Sequence, residues 1–514
     1  MDAPLCGDCP LVRELEAELE RLRRELDSVR EENALLRCDK ADLRRRVNMN
    51  STNSSKPPST DGLRKRAAPE NLREPTDRRP GAQPGHRGSN VTLPHGPDEV
   101  VVHTPDKCKG CPRFRECSSG GAFEHRESRY VLEAVVGTRV VEHRLVEAVC
   151  PGGERGCGRD RGSFPDDVRA TIQYGDSFAC FVSLMDSYGF MSDSRISEVA
   201  RDLFGVTLSP GTVVSMVTGC ADRAKPVSDA IRQAVVESPV VNFDETGCRC
   251  GGRTMWVHNS STPLLTHQTI HVKRGSEGMD WNGVLPEFEG YAVHDFLQTY
   301  FKYDAPTHAM CGAHLLRELK GNMEAHPEHR WASRMFDLMM FARDVKASAQ
   351  SAGLGSLDPK VLEHISGRYD AILALAEAES PPPPPTPHKR GRRAKGRERA
   401  LIERFIDNKE SICRFLQHFE VPFTNNQAER DVRFVKTKMK ISGCFRDIEH
   451  AQRFLDLSSY LGTCRKHGTS AFEALRMLFD EDAGTIIQKV VRDRPAPGLL
   501  GRGPKCGLSI KSGF

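Results

Sequence analysis

The sequence lacks any run approaching the roughly 18 consecutive apolar residues needed to cross a bilayer, which excludes a membrane-spanning reading. Its opening residues, MDAPLCGDCP, contain no apolar signal core, so a cytoplasmic protein without a membrane partner is expected. Charge of one sign is also scarce. Lys and Arg number 74 against 70 Asp and Glu, a net charge of +4, so no basic field over the whole chain argues for nucleic acid. Apolar residues make up only 38% and charged residues 28%, so the hydrophobic core is expected in part of the chain rather than throughout.

What is present is unevenly distributed. A chain of 514 residues divides into roughly three or four domains. Two stretches are strongly basic, residues 56–90 and HKRGRRAKGRER at 388–399. Such runs hold phosphate through counterion release or stay as solvated segments, and composition alone leaves both readings open. The 17 cysteines, some in short-spaced pairs, suit thiol or metal chemistry better than a secreted disulfide framework.

Leu15, Leu22, Val29, Leu36 and Leu43 fall seven apart and interleave with Leu19, Leu26, Asn33 and Val47. This heptad predicts a coiled coil over residues 1–47, with Asn33 at an a position where a buried amide favours a parallel homodimer. Residues 48–100, rich in Ser, Asn, Pro, Arg and Gly, cannot bury enough apolar surface to fold alone and read as a disordered basic linker. From 166 to 235 the pattern is helical. SRISEVARDLFGVTLSPGTVVSMV resembles a helix-turn-helix: Ile196, Val199, Ala200 and Leu203 share a face, Gly205 turns the chain, and Ser209 with Pro210 starts the next helix. That pattern serves DNA binding or simple helix packing.

After Pro239 short strands replace helices: VVNFDET, TMWVHNS, LLTHQTIHV and GYAVHDF, which indicate an α/β core. Two of these strands deliver an acid. Val240, Val241 and Phe243 lead to Asp244; Tyr291, Ala292 and Val293 lead to Asp295. A carboxylate beside a buried strand is costly unless it is paired, hydrogen-bonded or bound to a cation, and hard oxygen ligands suit Mg²⁺. A third acid, Glu429, lies in PFTNNQAERDVRFVKTKMKISG, where Thr424 or Asn425 caps a helix made basic by Arg430, Arg433, Lys436, Lys438 and Lys440. On charge alone Glu429 fits ordinary surface salt bridges equally well. Carboxylates sharing a metal pair would support in-line attack of a water or a DNA 3′-hydroxyl on phosphorus, without a covalent protein nucleophile.

Several segments resemble transposases of the insertion-sequence-66 family, whose catalytic domain is ribonuclease-H-like. They are DETG at 244–247 with the following GGRTMWVH, YAVHDFLQTY at 291–300, HAMCGAHLLREL at 308–319 and TNNQAERDVRFVKTKMKISGCFR at 424–446. The leucine heptad and NSSKPPSTDG are also similar. The resemblance implies that Asp244, Asp295 and Glu429 form the acidic triad of a DDE-type enzyme using Mg²⁺ or Mn²⁺. It also implies that Arg430, Arg433, Lys436 and Lys438 contact phosphate. Cys311 and His314, spaced C-x-x-H, resemble a pair found in related transposases, although two ligands alone do not close a zinc site. Cys248 and Cys250 receive no role. Cys108 with Cys111, and Cys150 with Cys157, could together hold a structural Zn²⁺. Here the chain departs from its relatives: PGGERG separates the second pair, and Cys117 is an additional candidate.

The expected molecule is therefore multidomain. A coiled coil (1–47) and linker (48–100) precede a small zinc-binding module (101–165) and a helical, helix-turn-helix-like DNA-binding region (166–235). A ribonuclease-H-like α/β core begins at 236–320, is interrupted by a helical insertion with a Pro-rich and basic loop (321–420), and closes at 421–480 before a C-terminal tail (481–514). The expected function is cleavage and strand transfer of a mobile element, with element ends and target DNA as partners, accessory proteins of the same element, and a bacterial, nucleoid-associated setting. Two other classes remain: a zinc-containing DNA-binding regulator that does no catalysis, and a nuclease of the same fold that cuts without joining.

Overall fold

A computed structural model describes residues 163–382 and 396–492 continuously, together with 18–26, 137–149, 159–161 and isolated positions at 29, 40, 43, 47, 100, 112–113 and 115–116. Among the described residues no helix is long and apolar enough to cross a membrane. Residues 18–26 are helical, as are the isolated positions 29, 40, 43 and 47. Leu19, Leu22, Leu26, Val29, Leu43 and Val47 are all at least 50% exposed. Leu15, Asn33 and Leu36 lie outside the described residues, as do the linker at 48–99 and the candidate zinc ligands Cys108, Cys111, Cys117, Cys150 and Cys157. Two short antiparallel strands, β1 (Glu147–Val149) and β2 (Arg159–Arg161), bracket the second cysteine pair in sequence.

Three helices follow: α1 (Asp176–Ser187), α2 (Asp193–Phe204) and α3 (Pro210–Val236). The turn chemistry acts as the sequence predicts. Gly205 caps α2 at φ 66°, a left-handed conformation that favours glycine, and Ser209 Oγ accepts the Thr212 N–H with Pro210 at the first helical position. Ile196 and Ala200 are fully buried, whereas Leu203 is 46% exposed. The length of α3 is the departure. Beyond its first two turns it runs on through Ile231 and Val235, which are buried in the main core, so most of this helix belongs to the α/β unit.

The central sheet has five strands: β3 (Val240–Cys250), β4 (Arg253–Ser261), β5 (Thr266–His271), β6 (Tyr291–His294) and β7 (Thr307–Met310). Their spatial order is β5-β4-β3-β6-β7. The β3, β4 and β5 pairings are antiparallel, while β3 with β6 and β6 with β7 are parallel. Gly251 and Gly252, at φ 54° and 75°, make the two-residue β3–β4 turn, which requires positive φ at both positions. A short helix α4 (Ser276–Asn282) leads from β5 towards β6.

Side chains alternate across a strand, and β6 shows the consequence. Ala292 packs into one core with Ile231, Val235, Phe243, Leu457 and Tyr460; its neighbour Val293 packs into another with Met310, Leu315, Trp331, Met335 and Phe405. The first core joins α3 and α11 (Ile448–Lys466) to the sheet, with α12 (Ala471–Asp480) alongside. The second is built from α5 (Gly312–Ala325), α6 (Trp331–Ser351), α7 (Pro359–Glu379), α8 (Arg397–Asp407) and α9 (Lys409–Gln417). The helical block between β7 and the last motif therefore shares a core with strands β6 and β7.

Two expectations change. The basic run at 388–399 ends inside α8, where Arg399 is buried and pairs with Glu377 and Glu403. The start of the expected tail is part of the fold: Ile486, Val490 and Val491 are buried in the first core, with Ile486 on the short helix α13 (Ala483–Ile487).

Candidate active site

Strand β3 stays paired with β4 to Cys250, but with β6 only as far as Asn242. Asp244 stands just beyond that divergence. It lies mid-strand, because the hairpin carries β3 six residues further. Its Oδ1 accepts the Glu245 N–H at 2.9 Å. Asp295 follows directly on β6, and its Oδ1 accepts the Leu297 N–H at 2.8 Å, which fixes the turn leaving the strand. Glu429 lies in the first turn of α10 (Asn426–Ser442).

What holds α10 against β3 is Asn425. This residue occupies the N-cap position without capping the helix. Instead its Nδ2 donates to the Phe243 carbonyl at 2.6 Å and its Oδ1 accepts from Asn242 Nδ2 at 2.9 Å. Its backbone N–H donates to Cys311 Sγ at 3.1 Å. The Gly312 N–H donates to the Phe423 carbonyl at 2.8 Å, and a β-carbon at Gly312 would lie 2.4 Å from the Phe423 ring. The segment before α10 is thus tied both to β3 beside Asp244 and to the β7–α5 junction. At the other edge Lys466 donates to Asp431 Oδ2 and to the carbonyls of Thr262 and Leu265, fixing α10 through α11 to the β4–β5 turn.

Burial, followed by Glu245, Asp295 and Glu429, pushes the Asp244 carboxyl up to about 7, and only Lys436 opposes them appreciably. Glu245, on the opposite side of the strand, is raised by burial and by Asp295, but Arg274 and Tyr300 counter this. Arg274 reaches Glu245 Oε1 at 2.6 Å and Tyr300 Oη donates to Oε2 at 2.8 Å. Arg317 approaches Glu429 Oε1 at 3.5 Å and His314 Nδ1 lies 3.8 Å from the same atom. Burial pushes His314 down, yet Cys311 and Glu429 outweigh it and the ring is held up at about 9. Cys311, His314 and Glu429 bring ligand atoms within 4.8 Å of one another. The C-x-x-H pair therefore abuts the third acid, with Cys311 as the N-cap of α5 and His314 in its first turn.

Arg430, Arg433 and Lys436 are exposed on α10. Lys438 is not: it is 6% exposed and its Nζ lies 2.9 Å from Asp186, so it makes a buried ion pair between α10 and α1. Helical spacing explains the difference, because Lys438 falls on the face that also buries Val432 and Val435. Cys248 and Cys250 are buried with Phe190, Val257, Phe445 and Phe454, which makes them core residues. Sequence reasoning passed over Asn242, Glu245, Arg274, Tyr300 and Arg317. The paired Asn of TNNQAER was the one available signal, since a polar residue chosen for a cap can equally reach a neighbouring strand.

The profile described as Transposase IS66 family matches residues 177–453, just over half of the chain. Residues 4–92 match a second profile, described as a family of unknown function (DUF6444). No curated protein matches the chain.

Proposed function

This chain belongs to the Transposase IS66 family, and on that premise we propose that it cuts and joins DNA at a metal-dependent site formed by Asp244, Asp295 and Glu429. What supports the reading is geometric: Asn425 ties the start of α10, and with it Glu429, to β3 beside Asp244, while Asp295 leaves the adjacent strand β6, and both acids act on Asp244 electrostatically. A mixed five-stranded sheet covered by helices supports a ribonuclease-H-like core. The donor set fits Mg²⁺ or Mn²⁺: burial, and after it the carboxylates of Glu245, Asp295 and Glu429, raise Asp244, and a divalent cation would offset that cost. Such a cation, once bound, lowers the barrier to in-line attack on phosphorus by activating the entering oxygen and stabilising the leaving one.

The chain's own residues do the rest. Asp244, Asp295 and Glu429 are the ligands, and Asn425 keeps the third in register with the first. Arg430, Arg433 and Lys436 hold the DNA backbone without reading sequence. Arg317 offsets part of the charge on Glu429. Lys438, paired internally, acts in folding rather than on phosphate. Element ends and target DNA are the substrates, and helices α2 and α3 open the region that would contact them. The exposed heptad supports a parallel homodimer, with Zn²⁺ at Cys108, Cys111, Cys150 and Cys157, accessory proteins of the same element, and a cytoplasmic, nucleoid-associated site of action completing the reading.

The experiment is incubation of the full chain with linear DNA carrying the element ends, with and without Mg²⁺ or Mn²⁺. Cation-dependent nicks and joined products are expected. Metal-independent turnover, or cutting that never yields joined strands from pre-cut ends, would sink the proposal.

A further inference from the structure

A second group of metal-type side chains is gathered at the root of the helical block, apart from the three acids. His326 is the C-cap of α5, His329 lies two residues before α6, and Glu398 is the second residue of α8. Their ligand atoms lie within 4.8 Å of one another. The two imidazole rings stack nearly parallel, 4° apart in plane with centroids 5.3 Å apart, and both turn Nδ1 to the same carboxylate. Glu398 is 6% exposed, and the histidines are 15% and 20% exposed, so the group is enclosed by protein yet open to solvent on the histidine side.

Hydrogen bonding accounts for only part of this arrangement. Asn322 Nδ2, His329 Nδ1 and Trp331 Nε1 converge on Glu398 Oε1 at 3.1, 2.8 and 2.8 Å. His326 Nδ1, by contrast, is 3.6 Å from Glu398 Oε2 and 3.8 Å from Glu328 Oε1, beyond hydrogen-bond distance from both. Ligand atoms held at roughly 2.0–2.2 Å by one tetrahedral cation stand about 3.3–3.6 Å apart, close to the two His326 separations, while the 2.8 Å His329–Glu398 hydrogen bond would lengthen on binding. Three donors on Glu398 Oε1 leave Oε2 facing His326 with no hydrogen bond at normal distance from that ring. Trp331 and Asn322 would then orient a ligating carboxylate from behind, as supporting donors do in metal sites.

We propose that His326, His329 and Glu398 bind a borderline transition-metal cation such as Zn²⁺, with Glu328 or a water as fourth ligand. Two imidazole nitrogens and a carboxylate are the donor set such ions take, whereas Mg²⁺ prefers all-oxygen sites. Binding would require each ring to present an Nδ1 lone pair, so a proton between His329 Nδ1 and Glu398 would pass to solvent or to Nε2 as the metal takes its place. The bound ion staples the α5–α6 turn to the first turn of α8, where the chain returns from the Pro-rich segment. It is separate from the acidic triad and does not depend on the proposed reaction.

The test uses full-length protein stripped with a chelator, reloaded with Zn²⁺ or Co²⁺ and freed of loosely held ion, then assayed for metal content and visible absorption. Glu398→Gln keeps an oxygen acceptor for Trp331 and Asn322 while removing the ligand charge, so it should fold; the double variant His326→Ala/His329→Ala removes both rings. Each variant is expected to hold one equivalent less than wild type and to lose Co²⁺ d–d absorption that carries no thiolate charge-transfer band. Equal metal content in wild type and Glu398→Gln overturns the proposal, whatever the fate of the double variant.

Discussion

Asp244 and Glu245 are consecutive on one strand, yet their surroundings are opposite. Glu245 is buried with an arginine and a tyrosine, which offset part of the cost of burying its charge. Arg274 is in turn stacked over Trp256, 5.0 Å from the ring centroid. Asp244 is raised first by burial and then by Glu245, Asp295 and Glu429, with one exposed lysine as its main counterweight. The Glu245 brace is satisfied by the protein alone, and the Asp244 pocket is not. Alternation along a strand sends neighbouring side chains to opposite sides, so one buried segment can supply both a structural anchor and a site left for a cation. Uncompensated like charge is what separates the two, since structural carboxylates are paired as Glu245 is.

The largest expected effect is on Asp244 itself. Asp244→Asn should lower cleavage and joining about a thousandfold or more, because a lost metal ligand removes several kcal/mol of transition-state stabilisation. Binding to element ends should persist, and thermal stability should hold or rise as repulsion with Asp295 and Glu429 is relieved. Gel assays of cutting alongside electrophoretic shift would check both halves. An Asn variant that cleaves at the wild-type rate would remove Asp244 from the reaction.

Glu245→Gln should do the reverse. Its cost falls on stability, about 1–2 kcal/mol, because Arg274 loses its charged partner but is 43% exposed and regains water. Catalysis per folded molecule should change much less than in Asp244→Asn. Urea denaturation together with turnover at saturating folded protein would read this. If Glu245→Gln were catalytically dead at full stability, the pocket and the brace would not be separate devices.

How far these differences were legible follows from their range in sequence. The three acids could be picked out because each stands beside a local signal, a short apolar strand or a basic helix following a cap. The hairpin glycines, Gly205 and Ser209 were also readable, since turn chemistry is local. The Asn425 bridge, the Arg274–Glu245 pair and the burial of Lys438 depend on residues 29 to 252 positions apart, which no periodicity encodes. Glu398 was hidden for a related reason: it sits in a run whose composition reads as solvated basic chain until helix α8 buries it.

Titration gives a further check on Asp244. Asp244 holds its proton to about 7, above its ordinary value, so between about pH 4 and 7 the folded protein binds a proton that the unfolded chain has lost. Stability should therefore fall as pH rises through that window and level off above it, the opposite of a salt-bridged aspartate. Denaturation midpoints at pH 5 and 7 should differ more in wild type than in Asp244→Asn. Mg²⁺ should shrink the difference by taking the proton's place. An identical pH dependence in the two proteins would mean that Asp244 is not crowded.

The smallest effect should come from the pocket's own cation. Lys436 is exposed and opposes the rise of Asp244, whereas Lys438, two residues on, is locked to Asp186. Lys436→Ala should weaken DNA binding modestly and reduce the slope of log affinity against log salt by about 1, the signature of one lost phosphate contact, with stability unchanged. Lys438→Ala should leave the salt slope alone and destabilise by about 3 kcal/mol, because Asp186 would remain buried without its partner. Salt-dependent binding of both variants separates a cation that serves DNA from one that serves the fold. A lower slope in Lys438→Ala would mean that the buried pair opens when DNA arrives.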